Sequence, residues 1–149
     1  MKKKTIISLA IAVVLLLGIA VYFRPLAFSK IAGEQWQIQT VLNEFGVRNG
    51  EPYVDSVNYQ TITAEQKSAI LTALERYSYQ RTPGTLFSDG SLSGVGEAML
   101  SIYGYEDGTL VDSIVVSSSG KIAVNGKTYR MKNAEQLIDQ IVEIMEPAN

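Results

Sequence analysis

Positions 6–23 are almost all apolar, and the run stops at Arg24-Pro25. As a helix this stretch reaches about 27 Å, close to the hydrocarbon thickness of a bilayer. Lys2, Lys3 and Lys4 precede it, and such a cluster favours the cytoplasmic side, so the rest of the chain should lie outside. Two fates compete. One is an uncleaved signal anchor. The other is a signal peptide cleaved at Gly18-Ile19-Ala20 or at Ala27-Phe28-Ser29. The length of the run, continuing through Val21-Tyr22-Phe23, favours the anchor. The expected organisation is a transmembrane segment over 1–24, a juxtamembrane linker over 25–34 and an extracytoplasmic domain over 35–149. The expected location is the cell membrane, single-pass with a cytoplasmic N-terminus; secretion after cleavage is the alternative.

Beyond the linker the pattern changes period. Trp36, Ile38 and Thr40 alternate with Gln35, Gln37 and Gln39, which reads as a strand, although Ile38, Val41, Leu42 and Phe45 also fit a helix. Residues 46–52 read as loop around the Asn49-Gly50 turn signal. Val57, Tyr59 and Thr61 give a second strand. Thr63-x-x-Gln66 is a capping box. Behind it Ile70, Leu74 and Tyr77 form one apolar stripe, so a helix is predicted over 64–79. Pro83-Gly84 stops the chain. Residues 82–96, rich in Gly, Ser and Thr, read as a mobile loop.

Residues 98–131 carry the clearest β pattern. Asp107-Gly108, Ser119-Gly120 and Asn125-Gly126 separate apolar runs as three hairpin turns. If each is a two-residue turn, one face collects Leu100, Ile102, Val111, Val115, Ile122, Val124, Tyr129 and Met131. The other collects Tyr103, Tyr105, Asp112, Ile114, Val116, Lys121 and Arg130. The first face is aliphatic, and the second mixes aromatics, charges and hydroxyls. The expectation is a sheet covered on one side and open on the other. A last helix, capped by Asn133-x-x-Gln136, buries Leu137, Ile141 and Ile144 and ends at Pro147. Its acidic row Glu135, Asp139 and Glu143 reads as a solvated face, with a docking strip for a basic partner as the alternative. The predicted fold class is α+β. An N-terminal transmembrane helix precedes a two-layer sandwich of an antiparallel sheet with two helices on one face, in the order β-β-α-β-β-β-β-α.

Three stretches together carry a resemblance. They are Val57–Leu74, the hairpin Ser101-Ile-Tyr-Gly-Tyr-Glu-Asp-Gly, and Gly120-Lys-Ile-Ala-Val-Asn-Gly-Lys-Thr-Tyr-Arg-Met with the final helix. They resemble the small exported or membrane-anchored domains of unknown function of Gram-positive bacteria, many of them lipoproteins. The similarity covers about residues 35–146 and is one of pattern. It implies an extracytoplasmic α+β domain and lends no enzymatic role. Many such domains carry a lipobox cysteine; its absence here favours the signal anchor.

Composition narrows the chemistry. The 149 residues include no cysteine and no histidine. That excludes disulfides, thiol nucleophiles, Fe–S clusters, Cys/His zinc sites and any histidine base. All 15 acidic residues follow residue 30, against 8 of the 13 basic ones, so the remainder of the chain carries a net −7. Such a domain is repelled by phosphate backbones, and nucleic-acid binding is not expected.

No catalytic constellation stands out. Ser118-x-x-Lys121 has the serine–lysine spacing of acyl enzymes, but it straddles a hairpin turn. Gly90, Gly94 and Gly96 precede a strand, whereas phosphate loops and nucleophile elbows need a following helix. Asp89, Glu106 and Asp107 read as surface turns and lack the spacing of a calcium loop. No catalytic, cofactor-binding or metal-binding residue is therefore assigned, and no enzyme activity is expected. Tyrosine is the exception to this blandness. Tyr103 and Tyr105, with Asp112 and Arg130, form the candidate binding surface on the open face, because tyrosine gives large contact area at low entropic cost. The expected function is a membrane-anchored module recognising a protein, a peptide or an envelope component. The alternatives are an accessory subunit associating through small residues of the helix (Ser8, Ala10, Ala12, Gly18), or an immunity protein against a cationic peptide.

Overall fold

The computed structural model describes residues 3–33, 37–59, 62–92 and 96–146. The expectations that fell on Lys2, Gln35, Trp36, Thr61, Gly94 and Pro147 lie outside these residues. The first element, α1 (Lys3–Tyr22), is a 20-residue helix. Its segment Thr5–Tyr22 has a mean hydropathy of 2.7 and no burial, so it is long and apolar enough to cross a membrane. A signal sequence would meet the same criterion.

The rest is α+β. Seven strands form one antiparallel sheet: β1 (Gln37–Arg48), β2 (Glu51–Tyr59), β3 (Tyr79–Arg81), β4 (Ala98–Glu106), β5 (Thr109–Ser117), β6 (Lys121–Val124) and β7 (Lys127–Met131), in the spatial order β2-β1-β4-β5-β6-β7-β3. Helices α2 (Ala64–Glu75) and α3 (Ala134–Met145) pack on each other and against one face of the sheet. Ile70 and Leu74 of α2 and Leu137 and Ile141 of α3 meet Leu100, Ile102, Ile114, Val116 and Ile122 of the sheet, all fully buried. Each such side chain contributes about 1.5–3 kcal/mol of transfer free energy.

Local chemistry explains most element ends. Thr63 caps α2 as a true box: its hydroxyl accepts from the Gln66 amide at 3.1 Å, and Gln66 Oε1 accepts from the Thr63 amide at 3.0 Å. The capping expected of Asn133 is absent. Asn133 sits at φ 58° and its side chain makes no cap bond; the helix starts from a left-handed corner instead. α2 also ends at Glu75 rather than at residue 79. The chain turns so that Tyr79 can pair with Met131 in β3, a strand the sequence pattern did not show. The fully buried Tyr79 ring closes the corner, its hydroxyl donating to the Leu74 carbonyl at 2.7 Å. Burial in this apolar setting, with the Glu75 charge beside it, raises the phenol far above its ordinary range.

The meander departs from the predicted register in one strand. The Asp107-Gly108 turn is tight, with positive φ at both residues and Glu106 opposite Thr109. Next, Tyr105 faces Leu110 but Gly104 faces Asp112, which leaves Val111 as one extra residue. A one-residue slip exchanges the faces of a strand. Ile114 and Val116 are therefore buried under the helices, and Val111 and Val115 are not. The β5–β6 connection then restores the phase. It has three residues, Ser118–Gly120, rather than two, with Gly120 at φ 89° and donating to the Ser117 carbonyl at 3.0 Å. β6 and β7 pair as expected, with Ile122 and Tyr129 opposite each other.

The first hairpin is longer than the alternation suggested. β1 and β2 pair over nine residue pairs, from Thr40–Tyr59 to Arg48–Glu51, around the tight Asn49-Gly50 turn. Residues 46–52, read as loop, are mostly strand. Only positions 37–44 of β1 also pair with β4, so the hairpin tip extends beyond the sheet as an arm. The Tyr53 ring lies over Gly46, its cross-strand partner, in space that a Cβ there would occupy.

The segment read as a juxtamembrane linker is built into the fold. Leu26 and Tyr79 exchange two backbone hydrogen bonds, of 2.8 and 3.0 Å, which closes the outer edge of β3. Phe28 has 0% exposure and packs against the Tyr79 ring at 6.0 Å between centroids. Phe28→Ala should cost about 3–5 kcal/mol, as for other fully buried aromatics. Urea unfolding of the full chain in detergent checks this; a loss under about 0.5 kcal/mol would be that of a free linker.

Candidate functional site

The sheet face opposite α2 and α3 is the place to look for chemistry. Along β1 it carries Gln37, Gln39, Val41 and Asn43; along β4, buried Met99 and Ser101 and half-buried Tyr103 and Tyr105. The register sets Tyr103 opposite Gln39 and Tyr105 opposite Gln37, so two half-buried phenol rings lie beside two exposed amides. Arg130 and Lys121 share this face on the paired strands β7 and β6. Arg130 is three strands away from Tyr103, about 14 Å at ordinary strand spacing, so it does not join the tyrosines.

Asp112 does not lie on this face. The extra residue Val111 turns it to the helix side, where it is 7% exposed. There it receives the Gly33 amide on Oδ2 at 3.0 Å and the Asn125 side-chain amide on Oδ1 at 2.5 Å. Asn125 in turn accepts from the Ser113 amide and donates its own amide to the Ser113 carbonyl, both at 2.9 Å. Asp112 thus ties the chain preceding β1, the Asn125 turn and the bulged strand together. It is a structural clasp and not a surface contact. Of the four candidate residues, the fold joins Tyr103 with Tyr105 and separates Asp112 and Arg130 from them.

Loop 82–96 does not cross the tyrosines in its described part. A 3-10 turn at Pro83–Leu86 opens it. The Thr85 hydroxyl donates to the Thr128 carbonyl at 2.6 Å, and Ser88 and Thr128 share a hydroxyl–hydroxyl bond. This pins the loop to the margin of β7. Beyond it, Phe87 is 89% exposed and Leu86 67%.

Hydroxyls cluster at the start of β4. Glu97 accepts from Ser117, Ser117 and Ser119 are 2.8 Å apart, and the Ser118 hydroxyl accepts from the Ala98 amide at 3.1 Å. The Ser117 bond, with help from Ser119 and from the nearby Lys121 charge, holds the Glu97 carboxyl below its ordinary value. Ser117 is fully buried and Ser118 is spent on the β4 backbone. Both hydroxyls bond to neighbouring residues, and Ser118 and Lys121 flank the turn between β5 and β6. Asp89 is also held low, by the Ser91 amide 2.9 Å away in an Asx turn. Among the described residues, no group of three or more carboxylates could hold a metal ion.

Sequence reasoning missed a second feature. Among the described residues β2 pairs only with β1, and apart from half-buried Tyr53 and Tyr59 it is exposed throughout. No described strand pairs with its outer backbone edge. The hairpin tip adds exposed Val47 and Val54 on one face. The signal was present as Asn49-Gly50 with apolar residues on both sides, the strongest short-range mark of a hairpin. Comparison with protein-family profiles, curated proteins and solved structures finds no match for this chain.

Two outcomes test this geometry. Asp112→Ala leaves the Gly33 and Asn125 donors without their acceptor and should cost about 1–3 kcal/mol in chemical unfolding, with no change in any binding at the tyrosine face. Glu97 has a folded pKa below its unfolded value near 4.5. Its stabilisation is therefore present above pH 4.5 and disappears as pH falls through the folded pKa. Glu97→Gln should remove that part of the acid dependence of stability, measured by unfolding midpoints between pH 3 and pH 6.

Proposed function

We propose that the protein is a non-catalytic binding module, held at the outer face of the cell membrane by α1, that recognises an extended polypeptide segment. The observation that carries this reading is the nine-residue edge of β2, which no described strand pairs, on the same sheet as half-buried Tyr103 and Tyr105. An exposed edge of this length offers a row of backbone donors and acceptors, and adding a strand there satisfies them. Side chains of the added strand would alternate between the two faces of the extended sheet.

Charge selects the partner class. Glu51 and Asp55 lie on β2, and the chain beyond residue 30 carries net −7. A cationic peptide, or a cationic segment of a larger protein, fits that field and would be steered toward it. Pro52 on β2 limits indiscriminate pairing, as proline commonly does on edge strands. The absence of histidine and cysteine, together with the buried or engaged serines, supports recognition rather than turnover.

A photo-crosslinking amino acid placed at Val54 or at Tyr103 in the full-length, membrane-bound protein should capture the same polypeptide. The same probe at Asp139, on the exposed side of α3, should not. Capture from Asp139 alone would overturn the assignment of the surface.

A further inference from the structure

α1 does not end in free solvent. Its last turns meet the 3-10 turn that opens loop 82–96, and two contiguous cavities lie at the junction. The first is an apolar cleft of about 420 Å³ between Leu15, Gly18 and Ile19 of α1 and Pro83, Leu86 and Phe87. It runs down to Val14, eight residues before Tyr22, which on a helix is about 12 Å. The second, of about 350 Å³, shares Tyr22 and Leu86 with the first and is lined by Arg81, Lys127, Thr85 and Tyr129.

The second cavity has the chemistry of an anion site. The Arg81 guanidinium sits 5.3 Å from the centre of the Tyr22 ring. No ion pair is formed by Arg81 or Lys127 among the described residues. The Tyr22 hydroxyl is buried without a hydrogen-bond partner. Two cations and an orphaned hydroxyl thus meet where the domain touches its apolar helix, although the chain beyond residue 30 is acidic overall. A buried hydroxyl left unpaired is unfavourable, and an acceptor in that cavity would satisfy it.

We infer that the two cavities together hold one anionic phospholipid of the outer leaflet, its phosphate between Arg81 and Lys127 and one acyl chain in the cleft between Gly18 and Phe87. The continuity of the cleft with the lipid-facing surface of α1 favours a lipid over a soluble phosphate. It also gives an apolar setting to exposed Leu86 and Phe87, which line the cleft beside Leu15 and Gly18. The inference rests on α1 being retained as a membrane anchor.

The test uses full-length protein in detergent, titrated with phosphatidylglycerol, phosphatidylcholine or glycerol 1-phosphate and read by native mass spectrometry. One phosphatidylglycerol should bind per chain, at least about tenfold tighter than phosphatidylcholine, and glycerol 1-phosphate should bind far more weakly. Arg81→Gln with Lys127→Gln should abolish the preference for the anionic lipid, the loss expected when two basic side chains no longer face an anionic headgroup. Gly18→Leu, whose added side chain enters open space, should weaken both lipids by filling the cleft. Equal affinity for the two lipids, or an unchanged preference in the charge variant, would overturn the site. Binding of glycerol 1-phosphate as tight as that of the lipid would overturn the role of the cleft. The intact mass of the protein recovered from membranes reports separately on the anchor; loss of α1 there would remove that premise whatever the lipid titration shows.

Discussion

The whole arrangement depends on one extra residue in β5. Val111 interrupts the pairing with β4 between Tyr105 and Gly104, and this decides which side of the strand receives the helices. With regular pairing Val111 and Val115 would lie under α3, and Ile114 and Val116 would face water. The bulge reverses that, and the three-residue turn at Ser118–Gly120 reverses it again, so β6 and β7 are in phase with β4. The core thereby gains Ile114 and Val116, both fully buried. The cost is an exposed Val111 and a local break in the ladder, where the Asn125 turn clasps the Ser113 backbone.

That break also gives Asp112 its role. Buried carboxylates persist only when their oxygens are hydrogen-bonded. Here the partners come from two distant segments, Gly33 before the sheet and Asn125 after β6. The chain leaving α1 is drawn across the helical layer, from Leu26 at the β3 edge through buried Phe28 to Gly33 over β5. The chain that follows α1 is therefore packed into the domain from Leu26 onward.

The two edges of the sheet are treated differently. The β3 edge is closed by Leu26, whereas the β2 edge is left open on a projecting arm. Edge strands are normally blunted, because they template pairing with other chains. The contrast within one sheet gives the proposed recognition surface its asymmetry. Tyr103 and Tyr105 lie near that open edge, on the strand next to β1, and the bases near α1 lie at the other end of the strand order.

The residues alone determined the apolar N-terminal helix, the α2 capping box, the tight Asp107-Gly108 and Asn125-Gly126 turns and the α+β class. Each depends on local periodicity or on a residue type that a turn or cap requires. Tertiary structure decided the rest. The phase of β5 was not legible, because a bulge leaves the composition of a strand unchanged and only the partner strand shows the extra residue. β3 was hidden because three residues carry no period; Tyr79 joins the sheet because Met131 and Leu26 are there to pair with it. Residues 25–33 looked like a linker because their hydrophobic residues follow no repeat, and Phe28 acquires its burial from tertiary packing, against α2 and the Tyr79 ring among others. The candidate site divided the same way. Tyr103 and Tyr105 were legible as two positions of one strand face, while the fates of Asp112 and Arg130 depended on a bulge and on strand order, which no local pattern records.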